Sequence, residues 1–313
     1  MKTFLRFACI NAFVLLFLTP CHAQNQVAIT IDDVPNTEKY EQDAFNPVLL
    51  NVLDSLQIPV AVFINKGKLE KTIHKMKNYE LLEKWMNKDY ATSGNHTYNH
   101  ARYSDVGFKA FVNEVKKGGR LKKMNKKTNT PKYFRFPYND LGKDSLQHVQ
   151  IKEFLNQKGY YITPFTIESI DWMYNSVYEY YLKKNDTLNA LKIGRDYIAK
   201  TIEYFDYFER LAQQKYNRPI KHIYLCHDNS INANYLPLLI TCLKEKKYSF
   251  ISLNEALQDE VYKQESVYYK KWGVSWLYRW MPNQKERTTY IKNEPSTQEI
   301  ESLYANLIEN KSK

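Results

Sequence analysis

Of the 313 residues, 43% are apolar and 25% charged, and lysine and arginine outnumber the acids 45 to 34, a formal charge of +11. Four cysteines in a chain of this length exclude a disulfide framework, so the fold must rest on its core, and about 290 residues can bury one large core. No apolar run reaches the ~20 residues that span a bilayer, which excludes a transmembrane helix. The positive charge suits anionic envelope polymers, because surface potential concentrates oppositely charged material, and it serves equally as plain solubilising charge. The lysine clusters at 122–127 and 244–247 fall in expected helical or loop regions and read as solvated faces, so nucleic acid is not an expected partner.

At the N-terminus, Met1-Lys2-Thr3-Phe4-Leu5-Arg6 precedes an apolar run from Phe7 to Leu18, and Cys21-His22-Ala23 follows as a small-residue cleavage site. That order is a signal peptide's, and it predicts an exported mature protein, periplasmic or extracellular, beginning at Gln24. Cleavage removes Lys2 and Arg6 but no acid, leaving +9. A lipoprotein anchor on Cys21 is the alternative, and Pro20 just before it fits poorly. Residues 24–313 read as a single domain and a monomer, with Cys226 and Cys242 as two buried free thiols and a disulfide between them, in an oxidising compartment, as the alternative.

The mature chain alternates short apolar runs with amphipathic segments, the signature of β/α units around a largely parallel sheet. Seven strands are expected, at 27–31, 60–64, 90–93, 133–137, 160–167, 222–226 and 248–253, with helices at 46–57, 71–87, 105–124, 145–158, 235–246 and 297–309. Asp32 and Asp33 follow the first strand, and His96 and His100 follow the third. Arg135 and Tyr138 end the fourth, Asp171 follows the fifth and His227 ends the sixth. In α/β folds the carboxyl ends of strands gather loops around one cleft, so this placement favours a barrel with a site at its mouth over an open sheet. His74 and His148 lie within expected helices and read as surface residues. Segment 176–219, rich in tyrosine, reads as an extra helical pair or lid between strands five and six. The extension 261–313 carries Tyr268, Trp272, Trp276 and Trp280, which either stack on sugar rings or pack against the barrel.

The spacing of His96 and His100 predicts two imidazoles one helical turn apart on a single helix face. One aspartate of the Asp32-Asp33 pair then completes a three-ligand set with an open position for water, and the other is free to act as base. That combination is what metal-assisted hydrolysis needs. Taken singly, an Asp-Asp pair is commonly a helix cap and Arg135 an ordinary ion-pair partner. Their joint arrangement at five strand ends argues for a site.

In order along the chain, Thr30-Ile31-Asp32-Asp33, His96-Thr97-Tyr98-Asn99-His100, Arg135-Phe136-Pro137-Tyr138, Asp171-Trp172 and Leu225-Cys226-His227 resemble the five motifs of carbohydrate esterase family four, the polysaccharide deacetylases. The resemblance implies a distorted (β/α)7 barrel. It implies that Asp33, His96 and His100 hold a divalent metal, zinc with cobalt or nickel as alternatives, whose open position carries the attacking water. It further implies Asp32 as base, Arg135 orienting it and holding it ionised, and the backbone N–H of Tyr138 stabilising the oxyanion. His227 is the implied acid, kept protonated and correctly turned by Asp171, and Trp172 and Leu225 shape the acetyl pocket.

Val34 stands where members commonly carry glycine, Ile31 where phenylalanine is usual, and Glu168 where aspartate is frequent, which marks a less typical branch. The expected activity is removal of acetyl groups from a polysaccharide, N-acetylglucosamine units first. An O-acetyl (xylan-type) esterase, a non-sugar amidase and a catalytically silent sugar-binding protein are the alternatives. Iron-dependent oxygen chemistry also uses two histidines and a carboxylate, but a second acid and a distant histidine serve hydrolysis.

Overall fold

A computed structural model describes residues 25–120 and 132–309. The expected leader and the 122–127 lysine cluster lie outside the described residues. The strands are β1 (Gln26–Val34), β2 (Val60–Ile64), β3 (Ala91–Asn95), β4 (Lys132–Phe134), β5 (Tyr160–Ile162), β6 (Ile167–Glu168), β7 (Lys221–His227) and β8 (Ser249–Phe250). They form one parallel sheet in the order β5-β4-β3-β2-β1-β7-β6, with β8 beside the start of β1. β2 is wholly apolar, and it and residues 27–31 of β1 are buried on both faces, as a parallel sheet covered by helices requires.

The expected fifth strand is in fact two, β5 and β6, and they are the two edges of the sheet. Between them, Pro164 has no N–H to give a ladder. Thr163 N–H still bonds the Phe134 carbonyl at the end of β4 (2.8 Å), whereas Thr166 N–H bonds the Ile223 carbonyl of β7 (2.9 Å). Four residues thus carry the chain from one edge of the curled sheet to the other, and the seam of a distorted (β/α) barrel lies there.

The helices are α1 (Thr37–Gln42), α2 (Val48–Leu56), α3 (Lys75–Met86), α4 (Tyr103–Gly118), α5 (Ser145–Gln157), α6 (Asp171–Lys183), α7 (Thr187–Tyr216), α8 (Ser230–Glu245), α9 (Leu253–Ala256), α10 (Trp276–Arg279), α11 (Gln284–Lys292) and α12 (Gln298–Leu307). Asp144, Asp186 and Asn229 cap α5, α7 and α8 by accepting backbone N–H bonds from residues three further on. The 176–219 segment is a helical pair and not a lid. Its second helix, α7, buries Ile193, Tyr197, Phe205, Phe208 and Leu211 in the main core. Most of the aromatic extension is core too, since Tyr268, Tyr278 and Trp280 are buried. His148 is not a surface residue: it is buried, with Nε2 2.9 Å from the Gly142 carbonyl oxygen. His74, just before α3, is partly buried beside Glu41. Cys226 and Cys242 are both free.

Gly94 on β3 is register partner to Phe63, and a Cβ there would stand 2.5 Å from the Phe63 ring. Overpacking of this kind costs about 1–3 kcal/mol. Gly94→Ala is expected to lower the denaturation midpoint accordingly; an unchanged midpoint would show that the ring moves aside freely.

Candidate active site

Loops from the carboxyl ends of β1, β2, β3, β4, β6 and β7 border a cleft of about 860 Å³. In a regular strand successive side chains point to opposite faces, so Asp32 and Asp33 would be expected to part. Asp33 instead adopts a left-handed conformation (φ 68°), and the register against β2 shifts between Ile31 and Val34. Both carboxylates consequently line the same cleft. Asp32 is also the register partner of His227 on β7.

The two histidines do not sit on a helix. β3 ends at Asn95, and Thr97 (φ 69°) and His100 (φ 59°) are left-handed. Side chains shape this loop: Asn95 Oδ1 accepts from Thr97 N–H (2.9 Å), and Thr97 Oγ1 accepts from His100 N–H (3.1 Å). Asn65 Nδ2 donates to the His96 carbonyl, and Gly67 N–H to the Tyr98 carbonyl at 2.8 Å, tying the loop to the turn after β2. The rings still meet, with centroids 5.0 Å apart.

His96 Nδ1 lies 2.8 Å from the Arg135 carbonyl oxygen. The N–H donated there fixes the tautomer and leaves Nε2 as an acceptor. His96 Nε2 and His100 Nε2 lie 3.9 and 3.5 Å from Asp33 Oδ1, and ligand atoms of the three residues all fall within 4.8 Å of one another. Burial above all lowers both imidazoles to about 4, so they are neutral electron-pair donors at neutral pH. Burial opposes the charge of Asp33, but Lys68, with Nζ 3.4 Å away, and the imidazoles outweigh it and hold the carboxyl well below its ordinary range. Asp33 Oδ1 is buried without a hydrogen-bond donor. Two neutral imidazoles and an ionised carboxylate with an unspent oxygen fit a divalent cation.

Asp32 is buried, and burial raises its carboxyl although Arg135 pulls the other way. Its Oδ2 lies 3.6 Å from Arg135 Nη1. Arg135 Nη2 donates to Thr30 Oγ1 and to the Pro164 carbonyl at the seam, both at 3.2 Å, and its guanidinium lies 4.7 Å from the Phe63 ring centroid. Across the cleft, His227 Nδ1 is 2.6 Å from Asp171 Oδ1, while Asp171 Oδ2 accepts from the backbone N–H of His227 and from Asn229 and Asn232. Burial disfavours the imidazolium, yet the Asp171 charge and hydrogen bond prevail and raise His227 to about 10. Tyr138, on the short turn Pro137–Asn139, is left-handed (φ 57°) with its ring edge-on to His100. Trp172, in the first turn of α6, is 43% exposed at the cleft, and buried Leu225 forms part of its wall. All ten residues singled out in the sequence border or support this one cleft.

Sequence reasoning missed Lys68 and Asp228 as cleft residues, noted Glu168 only as a departure, and left Trp272 between sugar stacking and core packing. The strand-end rule reaches Asp228, next to His227, and Lys68, just after β2. Burial raises Glu168 to about 7 and Asp228 to about 6. Asp228 Oδ2 accepts from Asn36 N–H at 2.8 Å.

Fold and site together define an α/β barrel with a candidate metal centre at the carboxyl ends of its strands. Residues 19–160 match the polysaccharide deacetylase family model, in line with the resemblance carried by the motifs. No curated protein matches the sequence. Among solved structures, the chain resembles a mutant of BA3943, a carbohydrate esterase family 4 pseudoenzyme with restored enzymatic activity, whose wild type comes from Bacillus anthracis. That likeness has a TM-score of 0.50 at 16% identity over 75% of this chain and 68% of that one. PdaA from Bacillus subtilis, a family 4 carbohydrate esterase, gives a TM-score of 0.47 at 20% identity over 75% and 81%. A Streptococcus mutans esterase of the same family gives 0.48 at 17% identity over 74% and 87%. Among the described residues, no helix is long and apolar enough to cross a membrane.

Because His227 titrates near 10 in the folded chain, above its ordinary 6.5, its pairing contributes stability that is complete below about pH 6.5 and lost as pH rises through about 10. In Asp171→Asn, an NMR titration should show the imidazole falling toward 6.5, with denaturation midpoints less pH-dependent over that window. An unmoved imidazole would remove Asp171 as its cause.

Proposed function

We propose that this chain is an exported, metal-dependent hydrolase that removes acetyl groups from N-acetylglucosamine units of a polysaccharide. The observation that carries this reading is the convergence, in one cleft, of the Asp33-His96-His100 cluster, a separate buried carboxylate at Asp32, and an imidazole held cationic by Asp171. Asp33, His96 and His100 would hold the cation, zinc in this reading, with cobalt or nickel able to replace it. When bound, such an ion polarises an acyl oxygen and acidifies water.

The chain's own residues supply the remaining steps. Asp32 takes the proton from the attacking water. Its burial makes it a stronger base than an exposed aspartate, and Arg135 keeps it ionised and aimed. The Tyr138 N–H donates to the developing oxyanion, a contribution typically worth about 3 kcal/mol. An amide nitrogen leaves as amine only if a proton reaches it, and His227 holds that proton across the neutral range. Trp172 and Leu225 provide apolar walls for the acetyl methyl.

The same constellation would serve an O-acetyl ester, but an alcohol departs with less help from an acid, so a histidine this firmly protonated favours the amide. A silent sugar-binding role, prompted by the pseudoenzyme among the similar folds, is disfavoured because base, ligand set and acid are all present. The basic composition and the leader-like N-terminus support an exported protein acting on envelope material.

Asp32→Asn is expected to retain zinc, measured by elemental analysis, while acetate release from N-acetylglucosamine oligomers falls on the order of 10²–10⁴-fold; undiminished release would strip Asp32 of the base role. His96→Ala should lose the metal itself, and stoichiometric zinc in that variant would remove His96 from the ligand set.

A further inference from the structure

We propose that segment 272–279 of the C-terminal extension builds a second glycan subsite at the rim of the cleft, with Trp272 as the platform for a pyranose ring beside the acetyl-binding pocket. The proposal rests on the reading above that the substrate is a glycan. Trp272 and Gly273 border the cleft, and they lie outside the stretch that matches the deacetylase family model. The neighbouring aromatics Tyr268, Tyr278 and Trp280 are buried in the core, but Trp272 stays 59% exposed. Tyr269, also exposed, borders a different cavity, so Trp272 is the large apolar ring of this stretch left open at the cleft, an unspent contact surface.

Trp272 is also anchored. Nη2 of Arg279, a fully buried arginine, donates both to the Trp272 carbonyl (2.9 Å) and to the Asn139 carbonyl (2.8 Å). The Arg279 guanidinium itself lies 5.2 Å from the Tyr268 ring and 5.7 Å from the Trp276 ring. Gly273 presses on the same turn, where a Cβ would come 2.5 Å from the Tyr138 carbonyl oxygen. One buried cation therefore fixes the platform to the turn that carries Tyr138. Lys271 Nζ sits 5.1 Å from the Trp272 ring centroid on one face, which leaves the other for the axial C–H face of a sugar. Arg102 and Asn139 border the same part of the cleft and offer partners for hydroxyls. Trp276, the other candidate in the extension, packs against Trp280 and borders a separate cavity with Phe136 and Tyr160.

The test compares wild type, Trp272→Ala and Trp272→Phe on the dimer and the pentamer of N-acetylglucosamine. Pentamer binding is measured in parallel by calorimetry in the Asp32→Asn background, with and without Trp272→Ala. Losing one aromatic contact should lower the pentamer-to-dimer ratio of kcat/KM about tenfold, through KM and not kcat, and weaken pentamer binding by a similar factor, with Phe restoring most of both. Equal ratios and equal affinities with and without Trp272 would overturn the subsite while leaving the deacetylase reading intact. Trp272-dependent pentamer binding without acetate release from the wild type would do the reverse, sustaining the subsite and ending that reading. No pentamer binding at all would overturn both.

Discussion

A buried arginine is expensive unless its surroundings answer its charge, and the site is arranged around that constraint at Arg135. Its guanidinium is answered by Asp32 and Thr30 from β1, by the Pro164 carbonyl at the barrel seam and by the Phe63 ring of β2, while its own carbonyl accepts the His96 proton. The break in the expected fifth strand is thereby part of the site: an unbroken ladder there would have spent the Pro164 carbonyl elsewhere. One residue, through its side chain and its carbonyl, ties base, ligand tautomer and closure of the barrel together. Its loss would leave an uncompensated buried carboxylate as well as a cavity.

Six carboxylates share or border the cleft, and five of them divide by partner. Asp33 and Asp171, each beside a cation or a cluster of donors, are pulled below the ordinary range. Asp32, Glu168 and Asp228 are raised, because burial outweighs what faces them. Such crowding of acids is costly in a protein built only for stability, and it follows the general rule that perturbed titration marks functional clefts. Burial opposes charge on His227 as well, but Asp171 above all, with Asp33 and Asp32, holds its proton, so an ionised ligand carboxylate and a protonated imidazole coexist within one pocket.

The sequence was most legible where one physical rule acts alone. β2 falls where its apolar run predicts, and the carboxyl-end rule gathers the candidate site residues around one cleft. It was least legible where local chemistry overrides a period. The His96–His100 spacing suggested a helix, but Asn95 and Thr97 side chains bond the backbone in its place and form a loop that brings the rings together by a different route. Period-two alternation would have separated Asp32 from Asp33, and only the left-handed φ at Asp33, invisible in composition, reunites them. His148 read as a surface residue because it lies within an expected helix and not at a strand end, yet it is buried against the Gly142 carbonyl and the Tyr269 ring.

The extension shows why aromatic density alone is ambiguous. Residues 268–280 supply core rings, a buried cation and an exposed indole, and composition cannot rank them. What separates them is the turn they serve. Tyr138 and Asn139 are two consecutive non-glycine residues in left-handed conformation, each of which costs about 1–2 kcal/mol, so the turn needs outside support to persist. The bond from Arg279 to the Asn139 carbonyl and the close approach of Gly273 provide that support from the far end of the chain. A segment that must reach the turn to hold it arrives at the cleft rim in doing so, and the residue it presents there is Trp272.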